Sequence, residues 1–283
     1  MHEKAVDLSL LMQKKARGEK ITMLTAYDAP TARALDSAGV DIILVGDSAA
    51  NVVLGYPDTL PVSMDEMIML TSAVARGASK SFVLGDMPFM SYNVNHEQAI
   101  RNAGRFIKEA GAKAVKLEGG GQVADTLGAM VRAGIPTVGH LGLTPQTAGM
   151  IGGYKVQGRD ADTAAIILED ALRLQDAGAC MVVLECVPDR VGELISQKLD
   201  IPTIGIGAGN NTDGQVLVVH DMLGIRSGFT PKFVKQWETI GERIENAARA
   251  YCEEVAAKSF PSADESFAMK EEEWQKLLTK EAS

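Results

Sequence analysis

Cysteine is scarce in this chain, and so are aromatic side chains, long apolar runs and any excess of basic charge. The three cysteines, Cys180, Cys186 and Cys252, are odd in number and lack close metal-type spacing. That argues for free thiols in a reducing compartment and against a disulfide framework or a zinc site. Lys and Arg total 28 against 37 Asp and Glu, a formal net charge of -9. A field of that sign repels polyanions, so nucleic acid is not an expected partner. No stretch reaches the ~20 apolar residues of a membrane span. Near the start, Leu8, Leu10, Leu11 and Met12 form a run too short for a secretory signal. The expectation is a cytoplasmic chain without a membrane partner. A Gly-x-Ser-x-Gly elbow and a Gly-Lys-Ser/Thr phosphate loop are also missing, so those large reaction classes lose support.

What the chain does have is 28 glycines, abundant alanine and 46% hydrophobic residues with only 5% aromatics, a core of small and branched side chains. Eight short apolar runs recur at 21–25, 41–45, 82–84, 114–117, 137–139, 181–184, 203–206 and 216–219. Several do not alternate, as expected of strands buried on both faces of a parallel sheet. The segments between them read as helices with one buried stripe. In 95–110 the stripe is Ile100, Ala103, Ile107 and Ala110, with Asn95 as cap; in 164–177 it is Ala164, Ile167, Leu168, Ala171 and Leu172. Ala-Gly pairs at Ala38-Gly39, Ala110-Gly111, Ala133-Gly134 and Ala177-Gly178 mark repeated helix stops, where glycine takes the left-handed conformation.

Strand and helix alternating about eight times fits a closed (βα)8 barrel better than an open doubly wound sheet. We therefore expect one α/β TIM-barrel domain over 1–260, with an N-terminal helix (6–17) plugging its bottom and a last outer helix at 232–257. Residues 261–283 form a charged C-terminal tail. Its segment 266–280 can form a weak amphipathic helix, read as solvated, with docking on a neighbouring subunit as the alternative.

In such a barrel, function sits at the C-terminal ends of the strands. The polar residues there are Asp47 and Ser48 after run two, Asp86 after run three, Lys116 and Glu118 in run four, His140 after run five and Glu185 after run six. Taken singly, each aspartate is more often a turn or cap residue, Lys116 with Glu118 as often a salt bridge, and His140 more often a satisfied interior histidine. Together they place carboxylates at the same end of four strands. Asp47, Asp86 and Glu118 would repel one another unless a cation sits among them, and all-oxygen ligation selects a hard ion such as magnesium, bound directly or through water. Glu185, apart from that ion, is placed as a base, and Lys116 would add positive charge beside an enolate oxygen. This chemistry is proton abstraction next to a carbonyl, with the ion chelating an α-keto acid.

At these residues the sequence closely resembles the ketopantoate hydroxymethyltransferase family. The ordered motifs include Thr25-Ala-Tyr-Asp28, Gly46-Asp-Ser48, Asp86-Met-Pro-Phe89, Val115-Lys-Leu-Glu-Gly-Gly120, Gly139-His-Leu-Gly-Leu-Thr-Pro-Gln146, Leu184-Glu-Cys-Val-Pro188 and Asp213-Gly-Gln-Val216. The resemblance implies transfer of a one-carbon unit from 5,10-methylenetetrahydrofolate to 3-methyl-2-oxobutanoate, giving 2-dehydropantoate for pantothenate synthesis. It implies Mg2+ at Asp47, Asp86 and Glu118, and keto-acid binding by Ser48 with Asp47, Asp86 and Lys116. Glu185 would be the proton acceptor, His140 would line the pocket, and the assembly would be a homo-oligomer, commonly a decamer. Leu70 and Val219 depart from the family pattern, which puts pocket or interface details there in question. The loop 149–158, with Tyr154, Lys155 and Arg159 at hand, is a lid or folate contact, or else a plain surface loop.

Two rivals stay open. One is another metal-enolate barrel enzyme, for which Gly205-Ile-Gly-Ala-Gly209 would have to cradle a phosphate, against tight packing as the plainer account. The other is a non-catalytic binding barrel with paired strand-end charges.

Overall fold

Eight parallel strands close on themselves in the computed structural model, which describes residues 5–150, 152–225 and 230–281. The strands are β1 (Ile21–Thr25), β2 (Ile42–Val45), β3 (Phe82–Asp86), β4 (Ala114–Glu118), β5 (Thr137–Gly142), β6 (Met181–Glu185), β7 (Thr203–Ile206) and β8 (Gly214–Leu217). β8 returns to β1 with Ile21 opposite Gly214, so no edge is left open. This is the expected (βα)8 barrel.

Strand periodicity then sorts the side chains. Ile42, Leu44, Phe82, Leu84, Ala114, Val138, Met181 and Val183 fill the barrel interior, while Ile43, Val45, Val83, Val115 and Val182 face the surrounding helices. Helix α1 (Leu8–Ala16) closes the bottom, where Leu11 and Val6 join the interior cluster. Lys14 and Lys15 of α1 pair with Asp41 at 2.5 Å and Asp213 at 2.7 Å, at the N-terminal ends of β2 and β8. The plug is therefore tied by charge as well as by packing.

Around the barrel run α2 (Ala29–Ala38), α3 (Ala49–Val52), α4 (Met64–Gly77), α5 (His96–Lys108), α6 (Gly121–Arg132), α7 (Ala161–Asp176), α8 (Asp189–Lys198) and α9 (Val219–Met222). Asn95 caps α5 through the Gln98 amide, as its position suggested. The four Ala-Gly stops hold, with Gly39, Gly111, Gly134 and Gly178 all at positive φ. Among the described residues no helix is long and apolar enough to cross a membrane, and all three cysteines are unpaired.

Two expectations change. Helix α10 (Ile240–Ala256) begins later than 232 and buries none of its residues, so it does not cover the barrel wall as an outer helix must. Pairing also carries β3, β4, β5 and β6 beyond the apolar runs, because Asp86 sits opposite Lys116, Glu118 opposite His140 and Gly142 opposite Glu185. In the tail, α11 (Glu271–Glu281) has no buried residue within the single chain.

Asp36, on α2, shows how the α4–β3 connection is held. Its Oδ1 accepts from the Lys80 and Ser81 amides at 2.9 and 2.6 Å, and its Oδ2 from the Ser79 amide and hydroxyl at 3.2 and 2.9 Å. Burial pushes this carboxyl up, but the four hydrogen bonds outweigh it and hold the group well below the usual carboxylate range. A depressed carboxyl stabilises the fold above its unfolded pKa, and that contribution is lost as pH falls toward its folded one. Asp36→Ala is therefore expected to destabilise the protein by about 2–4 kcal/mol at neutral pH, with a smaller difference in strongly acidic buffer, read by urea unfolding.

Candidate active site

The inward parity that fills the barrel with Leu84, Ala114, Val138 and Val183 runs on, two residues at a time, to Asp86, Lys116 with Glu118, His140 and Glu185. The polar residues are thus the top layer of the barrel interior. Asp47 and Ser48 reach the same place differently, because the chain leaves β2 at Gly46 and turns into the short α3. All seven of these residues line one cavity of about 580 Å3, a volume suited to small-molecule substrates. Asp47, Asp86, Lys116, Glu118 and His140 are buried, and the Glu185 side chain is 15% exposed at the rim.

Lys116 is the hub. Its Nζ lies 2.9 Å from Asp86 Oδ1, 4.0 Å from Glu118 Oε1 and 3.3 Å from His140 Nδ1. His140 Nδ1 is also 3.3 Å from Glu118 Oε1, and its Nε2 is 3.1 Å from Glu185 Oε2. Neither Asp86 Oδ1 nor His140 Nε2 has a partner in hydrogen-bonding geometry, so both contacts are attractions of charge without a directed bond. Asp86 Oδ2 accepts from the Asp47 amide at 3.1 Å. Ser48 Oγ sits 2.8 Å from the buried Tyr27 hydroxyl.

Burial is the largest single influence on each group of the cluster, and for Glu118, Lys116 and His140 the neighbours together outweigh it. Burial raises Asp47 well above the ordinary carboxylate range, and the negative charges of Asp86 and Glu118 raise it further. Burial also raises Asp86, against the opposing pull of Lys116. Glu118 ends lower, because His140, Lys116 and the Gln146 amide outweigh its burial. For Lys116, burial works downward, and the three carboxylates overcome it and raise the ammonium. Burial and Lys116 lower His140, yet Glu118 and Glu185 lift it to about 9.

Two proton arrangements suit the His140 ring. As imidazolium, Nδ1 donates to Glu118; as the neutral tautomer, Nδ1 accepts from Lys116. The surplus of carboxylates favours the first, and added positive charge would favour the second.

Four carboxylates, Asp47, Asp86, Glu118 and Glu185, face one lysine and one imidazole here. Fully ionised, they leave two negative charges, which a divalent cation would balance. Among the described residues no three His, Cys, Asp or Glu side chains form a ready metal cage. Mg2+ is commonly held by one or two carboxylates and completes its shell with water and substrate oxygens. Asp47 and Asp86 would serve as direct ligands, Asp86 through Oδ1, which faces Lys116 at 2.9 Å without a directed hydrogen bond and so could be shared with an ion. Both oxygens of Glu118 are taken, Oε1 facing His140 and Oε2 accepting from the Gln146 amide at 2.9 Å, so Glu118 fits as a water-mediated neighbour.

The family model for ketopantoate hydroxymethyltransferase matches residues 5–263. This chain belongs to the ketopantoate hydroxymethyltransferase family. The 3-methyl-2-oxobutanoate hydroxymethyltransferase of Acetivibrio thermocellus is 53% identical over 97% of this chain and 96% of its own length. That of Syntrophus aciditrophicus is 54% identical over 93% and 96%. Among solved structures, a phosphonopyruvate hydrolase in complex with oxalate and Mg++ aligns with a TM-score of 0.61 at 13% identity, covering 98% of this chain and 97% of that one. A 2,3-dimethylmalate lyase aligns at 0.57 and 14%, covering 98% of each. At those identities the likeness is one of fold.

Several other expectations meet the geometry here. Tyr154, Lys155 and Val156 of the loop 149–158 line the cavity mouth, while Ile151 lies outside the described residues. Leu70 and Val219, the hydroxymethyltransferase departures, are buried in the helix-facing core and do not line the pocket. The glycines of 205–209 are packed rather than open: a Cβ on Gly207 would meet Phe233 at 2.8 Å and one on Gly209 would meet Asp189 at 2.6 Å. Tight packing, not a phosphate cradle, explains them. Sequence reasoning passed over Tyr92 and Gln146. Gln146 ends a quoted motif but carries no charge, and Tyr92 lies in a loop with no positional signal.

Proposed function

We propose that this protein transfers a hydroxymethyl group from 5,10-methylenetetrahydrofolate to 3-methyl-2-oxobutanoate, giving 2-dehydropantoate. The observation that carries the reading is the single inward layer of Asp86, Lys116, Glu118, His140 and Glu185 beside Asp47, within a chain of this family. Asp47 and Asp86 would hold Mg2+, whose charge, when bound, draws electron density from the keto and carboxylate oxygens of the substrate.

Ser48 and Lys116 orient the keto acid, and the Lys116 ammonium faces the oxygen on which negative charge develops. Glu185 takes the proton from C3. The C3 electron pair then bonds to the methylene carbon of the folate, whose bond to N10 opens and takes up a proton, and water displaces N5 from that carbon, leaving its hydroxyl on the product and its proton on the departing tetrahydrofolate. Beyond the carboxylates the cavity continues to Tyr154, Lys155, Lys232 and Phe233, a mixed aromatic and cationic mouth suited to the folate. Ile244, Tyr251 and Val255 are exposed on one face of α10, which supports a homo-oligomer, decameric in the family pattern. The unpaired thiols and the acidic charge support a cytoplasmic location.

The test is exchange without folate. In heavy water, protein with Mg2+ should erase the C3 proton NMR signal of 3-methyl-2-oxobutanoate, and excess chelator should stop the loss. A signal that persists with metal present would sink the reading and favour a binding barrel.

A second expectation concerns pH. Asp47 and Asp86 are raised when folded, so ionising them costs stability as pH climbs above their unfolded values. A cation relieves that cost, so Mg2+ at saturating concentration should raise Tm by about 5 °C near pH ~8. It should raise Tm markedly less near pH ~5, where protons compete for the carboxylates. Equal gains at both pH values in a differential scanning experiment would contradict it.

A further inference from the structure

Gln146 lies in the 3-10 turn after β5 (Pro145–Thr147) and is buried, as is Tyr92 in the loop after β3. Its side-chain nitrogen donates to Asp47 Oδ2 at 2.9 Å and to the Met87 carbonyl at 2.9 Å. Its side-chain oxygen accepts from the Tyr92 hydroxyl at 2.6 Å, and its backbone amide donates to Glu118 Oε2 at 2.9 Å. The orientation of the amide is fixed by chemistry: a carbonyl only accepts, so the nitrogen must face Met87, and the oxygen is left for Tyr92. Tyr92 in turn accepts from the Glu118 amide at 3.2 Å, and of the two acceptors its proton can reach, the Gln146 oxygen at 2.6 Å is nearer than the Glu118 carbonyl at 3.3 Å.

We infer that Gln146, braced by Tyr92, is the positioning residue of this site, holding one oxygen of Asp47 and one of Glu118 so that Asp47 offers a cation only its other oxygen. Among the described residues with neutral side chains, only Gln146 donates to carboxylates of two strand ends, by its side-chain nitrogen to Asp47 and by its backbone amide to Glu118. Neutrality matters. A lysine in this place would compete with the cation for Asp47, and a glutamate would repel both Asp47 and the Met87 carbonyl. The amide orders the carboxylate without discharging it, which preserves its affinity for metal.

This inference rests on the metal-dependent reading above, and its test reads binding rather than turnover. Mn2+ is titrated into the full chain, with free ion counted by electron paramagnetic resonance, for wild type, Gln146→Met and Tyr92→Phe. Gln146→Met keeps the length and burial but removes both donors on the side chain. It should fold, by circular dichroism, and bind Mn2+ about 10–100-fold more weakly, the range typical when groups that orient metal ligands are removed. Tyr92→Phe removes one hydroxyl and should weaken Mn2+ by about 3–10-fold. A folded Gln146→Met within about twofold of wild type overturns the inference. If Gln146→Met does not fold, unchanged Mn2+ affinity in Tyr92→Phe overturns it instead. Wild type that fails to bind Mn2+ at all overturns the metal reading itself, and this inference with it.

Discussion

Glu185→Gln is expected to lower C3-proton exchange and overall turnover by about 10²–10⁴-fold, the usual worth of a positioned general base, while KM for the keto acid moves little. Glu185 closes β6 on the inward parity, at the rim rather than among the carboxylates that adjoin Lys116. Among the described residues its ion-pair partner is His140, whose Nε2 lies at 3.1 Å without the geometry of a directed hydrogen bond. Glutamine keeps the shape and loses the basicity. The chain geometry behind it should survive, because Gly142, at φ 90, is packed against the Glu185 carbonyl, not its side chain. Exchange in the folded variant within a few-fold of wild type would remove Glu185 from the role of base.

Lys116→Met should be the most destabilising single change in the site. The ammonium is the fixed positive charge among Asp86, Glu118 and Asp47, all of them buried. Removing one partner of a buried charge network typically costs about 3–5 kcal/mol, because the remaining charge has no water to turn to. Urea unfolding at neutral pH measures the loss. Mg2+ should recover part of it, since a divalent ion can take over the neutralisation, and recovery should exceed the gain seen in wild type. A loss below about 1 kcal/mol, the scale of an exposed pair, would mean that the carboxylates are already neutralised by protons. Activity should fall sharply in either case, because in the proposed reaction the ammonium also faces the developing oxyanion.

The barrel was legible because its signals were local. Unalternating runs such as 42–45 gave buried strands, and the Ala-Gly stops marked where helices ended. The strand-end carboxylates were legible as a set, since Asp86, Glu118 and Glu185 come at the same end of their runs, and Glu185, directly after four apolar residues, is costly as an ionised group without a task. Three things were not. Strand ends fell short by one to three residues, because polar residues that pair across the barrel do not look like strand. Helix α10 has an amphipathic pattern, and a pattern specifies a face to be covered but not what covers it. Gln146 and Tyr92 act through contacts between the loops after β5 and β3, 54 residues apart, and no periodicity in one segment reports on another.

The plug of α1 has a bearing on traffic. With Leu11 and Val6 filling the lower end and two lysines fastened to Asp41 and Asp213, the barrel is a vessel with one mouth. The carboxylates lie deep in it, and Tyr154, Lys155 and Lys232 ring the opening. Whatever occupies the deep end must arrive before the mouth is filled and cannot depart until it clears. On the proposed function, this architecture predicts a compulsory sequence: keto acid first, folate second, tetrahydrofolate out, and the elongated acid last.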